Sequence, residues 1–345
     1  MAPPPSSLAS ALTMSVVGLW CKGFMSLTTR QFRVEGKEHL YKALKLGKDR
    51  TTKEGPAEKG KRRGVLTICN HNSVVDDPMT WAVLPASVYA PFARPAYTCH
   101  NNRWTLGASD IMFTSAPMGR FFSLGQVIET VRGGGIYQDA VDTAIDRLKH
   151  GGWVNIYPEG RVNQEKNNPA GGMRRFKWGV GRIVMDAEEM PEIIPIWISG
   201  FDQIMDERRG FPRFLPRPGA NVSITIGQSI SPLISPLVQS YRQTCSELDQ
   251  VAPPHPALKE VPGPQTIANS AQMGKGYGDW PYSEREDEAT RDARIAITAR
   301  LQEELTRLGE RVEAEEGRFD RGEWAQSRAD PMKVMETSVE VPKTQ

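Results

Sequence analysis

Through the middle of the chain, short apolar runs alternate with longer stretches whose apolar residues recur at helical spacing. Residues 65–69, 127–131, 153–157, 193–198 and 222–226 are runs of five or six, rich in Val and Ile, and read as buried strands. Residues 79–84, 137–150 and 173–187 read as the helices between them. This alternation predicts an α/β fold, a largely parallel central sheet flanked by helices, with functional groups gathered at the carboxyl ends of the strands. Ahead of this region, residues 38–46 read as a short helix and the Lys-, Gly- and Pro-rich residues 48–64 as a loop. Beyond it, Ile297, Leu301, Leu305, Leu308 and Val312 fall on one face among charged neighbours. That stripe predicts an amphipathic C-terminal helix packed on the body of the protein. Residues 253–282 are rich in Pro, Gly and Ser and read as a mobile insertion. The run Gly274-Lys-Gly-Tyr-Gly278 inside it is no dinucleotide loop, because no strand precedes it and no helix follows. The expected division is a membrane-associating helix at 1–30, the main domain at 31–250, a flexible insertion at 251–283, the amphipathic helix at 284–318 and a disordered tail at 319–345.

The N-terminal stretch is the one segment that suits a membrane. From Leu8 to Cys21 it carries no charge, but Lys22 follows after only fourteen residues, and a spanning helix needs about twenty. An interfacial or partly inserted helix is expected, with Trp20 and Phe24 at headgroup depth as anchors. No positive charge precedes the apolar stretch, as a secretory signal requires, and no early arginines mark a cleavable mitochondrial presequence.

Charge and cysteine usage narrow the classes further. The 345 residues carry a formal net charge of only +2, which argues against a nucleic-acid binder. The distribution is uneven: residues 1–70 hold thirteen Lys/Arg against five Asp/Glu, whereas residues 284–330 hold nine against fourteen. The basic N-terminal part suits an anionic membrane surface, and it also suits a plain solvated loop. Cys21, Cys69, Cys99 and Cys245 show no Cys-x-x-Cys pair and no metal-like spacing with histidine. Free thiols and no metal site are expected. Cys69 sits inside an apolar strand, where a thiol is a small hydrophobe rather than a nucleophile.

Candidate chemistry begins in Asn70-His-Asn-Ser-Val-Val-Asp76, directly after a predicted strand. Asp76 lies five positions from His71, within reach of a turn that brings its carboxylate to the imidazole. Such a pair fixes the tautomer and stabilises the imidazolium, so it can activate a hydroxyl as a general base. Taken alone, a histidine after a strand is as readily a structural hydrogen-bonder. Asp77 competes as the partner, but Pro78 after it suggests that Asp77 caps a helix starting at 78 or 79. A second element, Tyr157-Pro-Glu-Gly-Arg-Val-Asn163, again follows a strand. There Glu159, Gly160 and Arg161 could bind the hydroxyls and phosphate of a lipid headgroup, or form a surface turn with a local ion pair. A third element places Arg132 ahead of Gly133-Gly-Gly135, a phosphate anchor beside free backbone amides. A fourth, residues 194–198, is an apolar strand that lines an acyl channel or fills the core. No Gly-x-Ser-x-Gly, His-Glu-x-x-His or Gly-Lys-Ser/Thr motif is present, against serine lipases, zinc hydrolases and kinases in turn.

Together and in this order, the four elements resemble the blocks of the glycerolipid acyltransferase superfamily: His-x4-Asp, an Arg after a strand, Pro-Glu-Gly, and an apolar Pro-containing strand. Residues 121–126 with Arg132-Gly133, 157–163 and 176–181 resemble most its cardiolipin-remodelling transacylases, over roughly residues 10–230. The resemblance implies acyl transfer from a phospholipid donor to lysocardiolipin or another lysophospholipid, without coenzyme A or any other cofactor. It implies a monotopic protein of mitochondrial membranes facing the intermembrane space, and it leaves oligomeric state open. Within it, His71 and Asp76 are the general-base pair, Arg132, Glu159, Gly160 and Arg161 hold headgroups, and amides near His71 or in Gly133–Gly135 stabilise the oxyanion. An acyl-coenzyme A-dependent acyltransferase is the alternative, followed by a phospholipase-type hydrolase and a non-catalytic membrane scaffold.

Overall fold

The computed structural model describes residues 8–46, 63–89, 102–169, 171–251 and 288–318. All but Arg63 and Gly64 of the expected loop at 48–64, Cys99, the insertion at 253–282 and the tail at 319–345 lie outside the described residues. Strands β1 (Gln31–Glu35), β2 (Val65–Cys69), β3 (Arg103–Ala108), β4 (Val127–Thr130), β5 (Trp153–Ile156), β6 (Glu192–Ser199) and β7 (Asn221–Ile226) form one sheet. Their order is β1-β7-β6-β2-β5-β3-β4. The five from β6 to β4 run parallel, whereas β7 is antiparallel to β6 and β1 is parallel to β7. β2 lies between β5 and β6 with every residue buried, which is why it is apolar throughout instead of alternating.

Helices cover both faces. In chain order they are α1 (Leu8–Thr28), α2 (Lys37–Ala43), α3 (Asp76–Met79), α4 (Ser109–Met112), α5 (Ala116–Leu124), α6 (Asp139–Lys149), α7 (Gly179–Asp186), α8 (Phe201–Ile204), α9 (Ser231–Val251) and α10 (Glu288–Glu315). Alternate residues of β2 feed two cores. Leu66 and Ile68 join Val154, Ile183, Trp197 and Leu301 beneath α6, α7, α9 and α10. Val65 and Cys69 join Cys21, Met25, Leu40 and Trp81 beneath α1 and α2. The predicted stripe of α10, from Ile297 to Val312, is buried. Gly309 sits so close to β6 that a β-carbon there would lie 2.4 Å from the Trp197 ring.

Two expectations change. The helix expected at 173–187 begins only at Gly179. The amides of Arg174 and Phe176 donate to side chains, Glu159 Oε2 at 3.1 Å and Gln302 Oε1 at 2.9 Å, and Lys177 N donates to Pro158 O at 2.7 Å. These bonds hold 174–177 in a loop. The 79–84 pattern is the short α3 followed by a 3₁₀ turn, Thr80–Val83, which stops as Leu84 turns extended. The N-terminal helix runs through Lys22 for 21 residues, inside the expected 1–30. Lys22 costs the helix little because its ammonium is capped by Ala82 O at 2.8 Å and Leu84 O at 2.9 Å. α1 is long and apolar enough to cross a membrane, yet Ala11, Ser15, Gly18, Cys21 and Met25 pack on the domain. Leu8, Leu12, Val16, Leu19, Trp20 and Leu27 remain exposed.

Candidate active site

At the end of β2 the chain leaves the sheet through a heavily tied loop. Asn70 clamps β6, its amide donating to Ile198 O at 2.8 Å and its carbonyl accepting from Ile198 N at 2.7 Å. His71 follows, with Nδ1 2.8 Å from Asp76 Oδ2. The same oxygen accepts the amides of Asn72 at 2.6 Å and Ser73 at 2.9 Å. Burial pushes the Asp76 carboxyl up, and the His71 ring and these two amides pull it back down. The His71 backbone is held on both sides, its N–H donating to Glu159 Oε1 at 2.8 Å and its carbonyl accepting from Asn163 N at 2.7 Å. The Tyr157 ring stacks on the imidazole with centroids 4.6 Å apart. Second-sphere support is equally dense. Gln164 Nε2 donates to Asn72 O at 2.9 Å, and Asn72 Oδ1 accepts from Asp202 N at 2.9 Å. A ring fixed at Nδ1 and positioned from backbone and face is arranged for proton transfer through Nε2, on a side chain 21% exposed.

Asp76, not Asp77, stands at the imidazole. Asp77 has the extended backbone of a residue ahead of a helix, but its carboxylate bonds side chains and takes no backbone amide of the turn that follows. Its carboxylate accepts Trp81 Nε1 at 3.0 Å and Arg103 Nε at 2.9 Å, and a second Arg103 nitrogen pairs with the other oxygen. Arg103 is 5% exposed, so this pair is a buried structural tie.

The other expected site residues separate. Glu159 is 2% exposed and both oxygens are occupied, Oε2 by Asn163 Nδ2 at 2.7 Å and by Arg174 N at 3.1 Å. It braces the His71 loop and presents no oxygen to a headgroup. Burial pushes it up to about 7 against the donors that favour its charge. Gly160, at φ +70°, and Arg161 lie exposed beside it, with the Lys177 side chain over Gly160. Arg132 is exposed and paired with Asp110 at 3.3 Å. It follows β4, three strands from β2, which places it roughly 14 Å along the sheet edge from His71. Four of the amides expected as oxyanion donors are already bonded within the chain. The amides of His71, Asn72 and Ser73 donate to Glu159 and Asp76, that of Gly134 donates to Val131 O, and Gly133–Gly135 sits on the distant β4 side. Cys69 is buried with its Sγ 3.2 Å from Asn155 Oδ1, and burial pushes its thiol far up, so it supplies no thiolate. Trp20 is exposed on α1 and stacks on Phe24, which is half-buried against the domain.

Asn70, Arg103, Tyr157, Asn163 and Gln164 complete the site without having been singled out. Asn163 and Gln164 directly follow Pro-Glu-Gly-Arg-Val, a polar pair after a strand end that was a usable signal. Arg103 lies in a strand whose mixed sequence, Arg-Trp-Thr-Leu-Gly-Ala, hides it.

The chain is similar to known proteins over most of this domain. A family model described as Acyltransferase matches residues 31–199. A protein named Taffazin from Dictyostelium discoideum is 34% identical over 229 residues, covering 66% of this chain and 71% of that protein. Tafazzin from Saccharomyces cerevisiae is 34% identical over 232 residues, 56% of this chain and 58% of its own. N-acylphosphatidylethanolamine synthase from Arabidopsis thaliana is 29% identical over 248 residues, 71% and 76% respectively.

Proposed function

Because the chain belongs to the tafazzin family of acyltransferases, we propose that it is a phospholipid–lysophospholipid transacylase that remodels cardiolipin without coenzyme A. The observation that carries this reading is the His71 Nδ1 to Asp76 Oδ2 bond of 2.8 Å at the carboxyl end of a central parallel strand. His71 Nε2 takes the proton of a lysolipid hydroxyl as that oxygen attacks the acyl carbonyl of the donor phospholipid. The imidazolium, stabilised by Asp76, then returns the proton to the departing glycerol oxygen. An ester replaces an ester, so the exchange is close to thermoneutral and runs in both directions. Gly160, Arg161 and Arg132 stand along the strand ends as headgroup contacts, and Glu159 acts by positioning the His71 loop.

Membrane association belongs to the same reading. α1 offers one apolar face to lipid and uses the other to hold the domain, which suits a monotopic seat with Trp20 at the headgroups. Mitochondrial membranes facing the intermembrane space are the proposed location, by analogy with the tafazzins.

The test is acyl exchange by purified protein between labelled phosphatidylcholine and monolysocardiolipin with no coenzyme A. The wild-type chain should transfer label, run the reaction backwards from labelled cardiolipin, and lose both with His71→Ala. Transfer only on addition of acyl-coenzyme A would replace this reading. The similarity to the Arabidopsis synthase favours a second acceptor, the amine of phosphatidylethanolamine. An amide product, formed without reversal, would identify it.

A further inference from the structure

The segment joining α8 to β7 carries the run Arg208-Arg-Gly-Phe-Pro-Arg-Phe-Leu-Pro-Arg217. Phe211 and Phe214 are 90% and 77% exposed, and Leu215 is exposed beside them. Large apolar side chains gathered on one tip in this way mark a contact surface. Their exposure does not come from a loose chain. Arg209 donates to Asp206 O at 2.8 Å and Arg213 O at 2.5 Å, Arg213 to Glu207 O at 3.1 Å and Arg217 to Gly210 O at 3.1 Å. The arginines thus stitch the loop into a fixed shape. Arg208 pairs with Glu165 and Asp206, whereas Arg209, Arg213 and Arg217 have no carboxylate partner among the described residues.

Position gives the loop its meaning. Its first stem is tied to the active-site loop: Met205 O accepts Ser73 Oγ at 3.0 Å and Gln164 Nε2 at 3.1 Å, and Glu207 N donates to Gln164 Oε1 at 2.8 Å. Its second stem is tied to the end of α1, where Gly219 N donates to Thr28 O at 2.7 Å beside the exposed Leu27. We infer that residues 208–217 form a second membrane contact, seating Phe211, Phe214 and Leu215 in the acyl region of an anionic bilayer while Arg209, Arg213 and Arg217 meet lipid phosphates. An apolar tip ringed by unpaired cations has the two-layer chemistry of an anionic phospholipid surface, phosphate above acyl chain, and it continues the apolar face of α1. His71 is thereby held between two membrane contacts. The inference does not depend on which acyl acceptor is used.

The experiment measures binding of the full chain to phosphatidylcholine vesicles with and without phosphatidylglycerol. Phe211→Ala with Phe214→Ala should weaken binding by about tenfold or more, the loss of two interfacial aromatic side chains. Arg213→Glu should weaken binding to the anionic vesicles alone, and added salt should reduce that difference. Because α1 also holds lipid, Phe211→Cys carrying an environment-sensitive fluorophore reports the loop directly, with the wild-type chain taken through labelling as the blank. Emission should shift to that of an apolar surrounding on anionic vesicles. A label that stays in water on bound protein, or variants that lose self-association in sedimentation while binding vesicles as the wild type does, would overturn the inference. Thermal unfolding unchanged in every variant excludes misfolding as the cause.

Discussion

In the mechanism proposed for His71 the carboxylate charge matters separately from its hydrogen bond, and the two neighbouring aspartates would divide the work between chemistry and stability. All three donors to Asp76 converge on one oxygen, while Oδ1 is buried without a partner. Asparagine can therefore place its carbonyl where Oδ2 stands and keep the ring in place, losing only the charge that stabilises the imidazolium. Asp76→Asn should cut transacylation by about 10²–10⁴-fold in the acyl-exchange assay, with urea unfolding unchanged or slightly more resistant, since a buried charge is removed. Asp77→Asn should do the reverse in emphasis. It leaves the Arg103 guanidinium buried without its counter-charge and should cost about 3–5 kcal/mol of unfolding free energy. The local part of this arrangement was readable because His71 and Asp76 are five residues apart and Pro78 drew attention to the choice between carboxylates. The inference about Asp77 failed on its mechanism. Its partner Arg103 is 26 residues away at the start of β3, and no spacing rule reaches that far.

At the scale of elements, Glu159 is the point where the loops after β2 and β5 and the loop before α7 are joined, and its titration makes that joint sensitive to pH. In the unfolded chain it ionises near its ordinary value of 4.5, and in the folded chain at about 7. Between these values the folded state holds a proton that the unfolded state has lost, so unfolding free energy falls as pH rises through this window. Asp202, pushed to about 6 by burial, adds the same sign over a narrower range. Glu159 alone should contribute a decline of about 3 kcal/mol between pH 4.5 and 8, and Glu159→Gln should flatten the measured pH profile of urea unfolding by that amount. An equal slope in the variant would assign the effect elsewhere. A second element-scale prediction concerns the docking of α10 on β6. Gly309→Ala drives a methyl into the Trp197 ring, whose Nε1 is already bonded to Glu313 Oε1 at 2.8 Å, so the ring has no easy retreat. A loss of about 1–3 kcal/mol is expected by chemical unfolding. The stripe that buries α10 was legible from its apolar spacing. The length of α7 was not, because Lys177 N donates to Pro158 O in place of the carbonyl of residue 173, a tertiary bond that overrides local pattern. β1 and β3 were missed because charged residues, Arg33 and Glu35 in one and Arg103 in the other, interrupt their apolar positions.

For the whole molecule, α1 is at once the proposed membrane face and part of the core, and these two roles can be separated experimentally. Its inner side supplies Cys21 and Met25, both fully buried, and seats Gly18 so close to Tyr89 that a β-carbon would overlap the ring at 2.2 Å. Ser10 Oγ donates to Leu124 O at 2.6 Å and Lys22 bonds two carbonyls beyond α3, so the helix is stitched to the domain along its length. Sequence exposed the apolar run but not this division, since which side faces the domain depends on partners 60 to 114 residues away. A helix detached to cross a bilayer would leave Trp81 and Tyr89 uncovered, which favours the interfacial seat over a spanning one. Deleting residues 8–28 should accordingly give an unfolded or aggregated domain rather than a soluble enzyme. Replacing Leu12, Val16 and Leu19 by Gln touches only the exposed face. That triple variant should keep its circular dichroism and thermal transition yet fail to float with liposomes or resist alkaline extraction. If it floated as the wild type does, lipid would be meeting another face, and α1 would be a core helix whose exposed side is incidental.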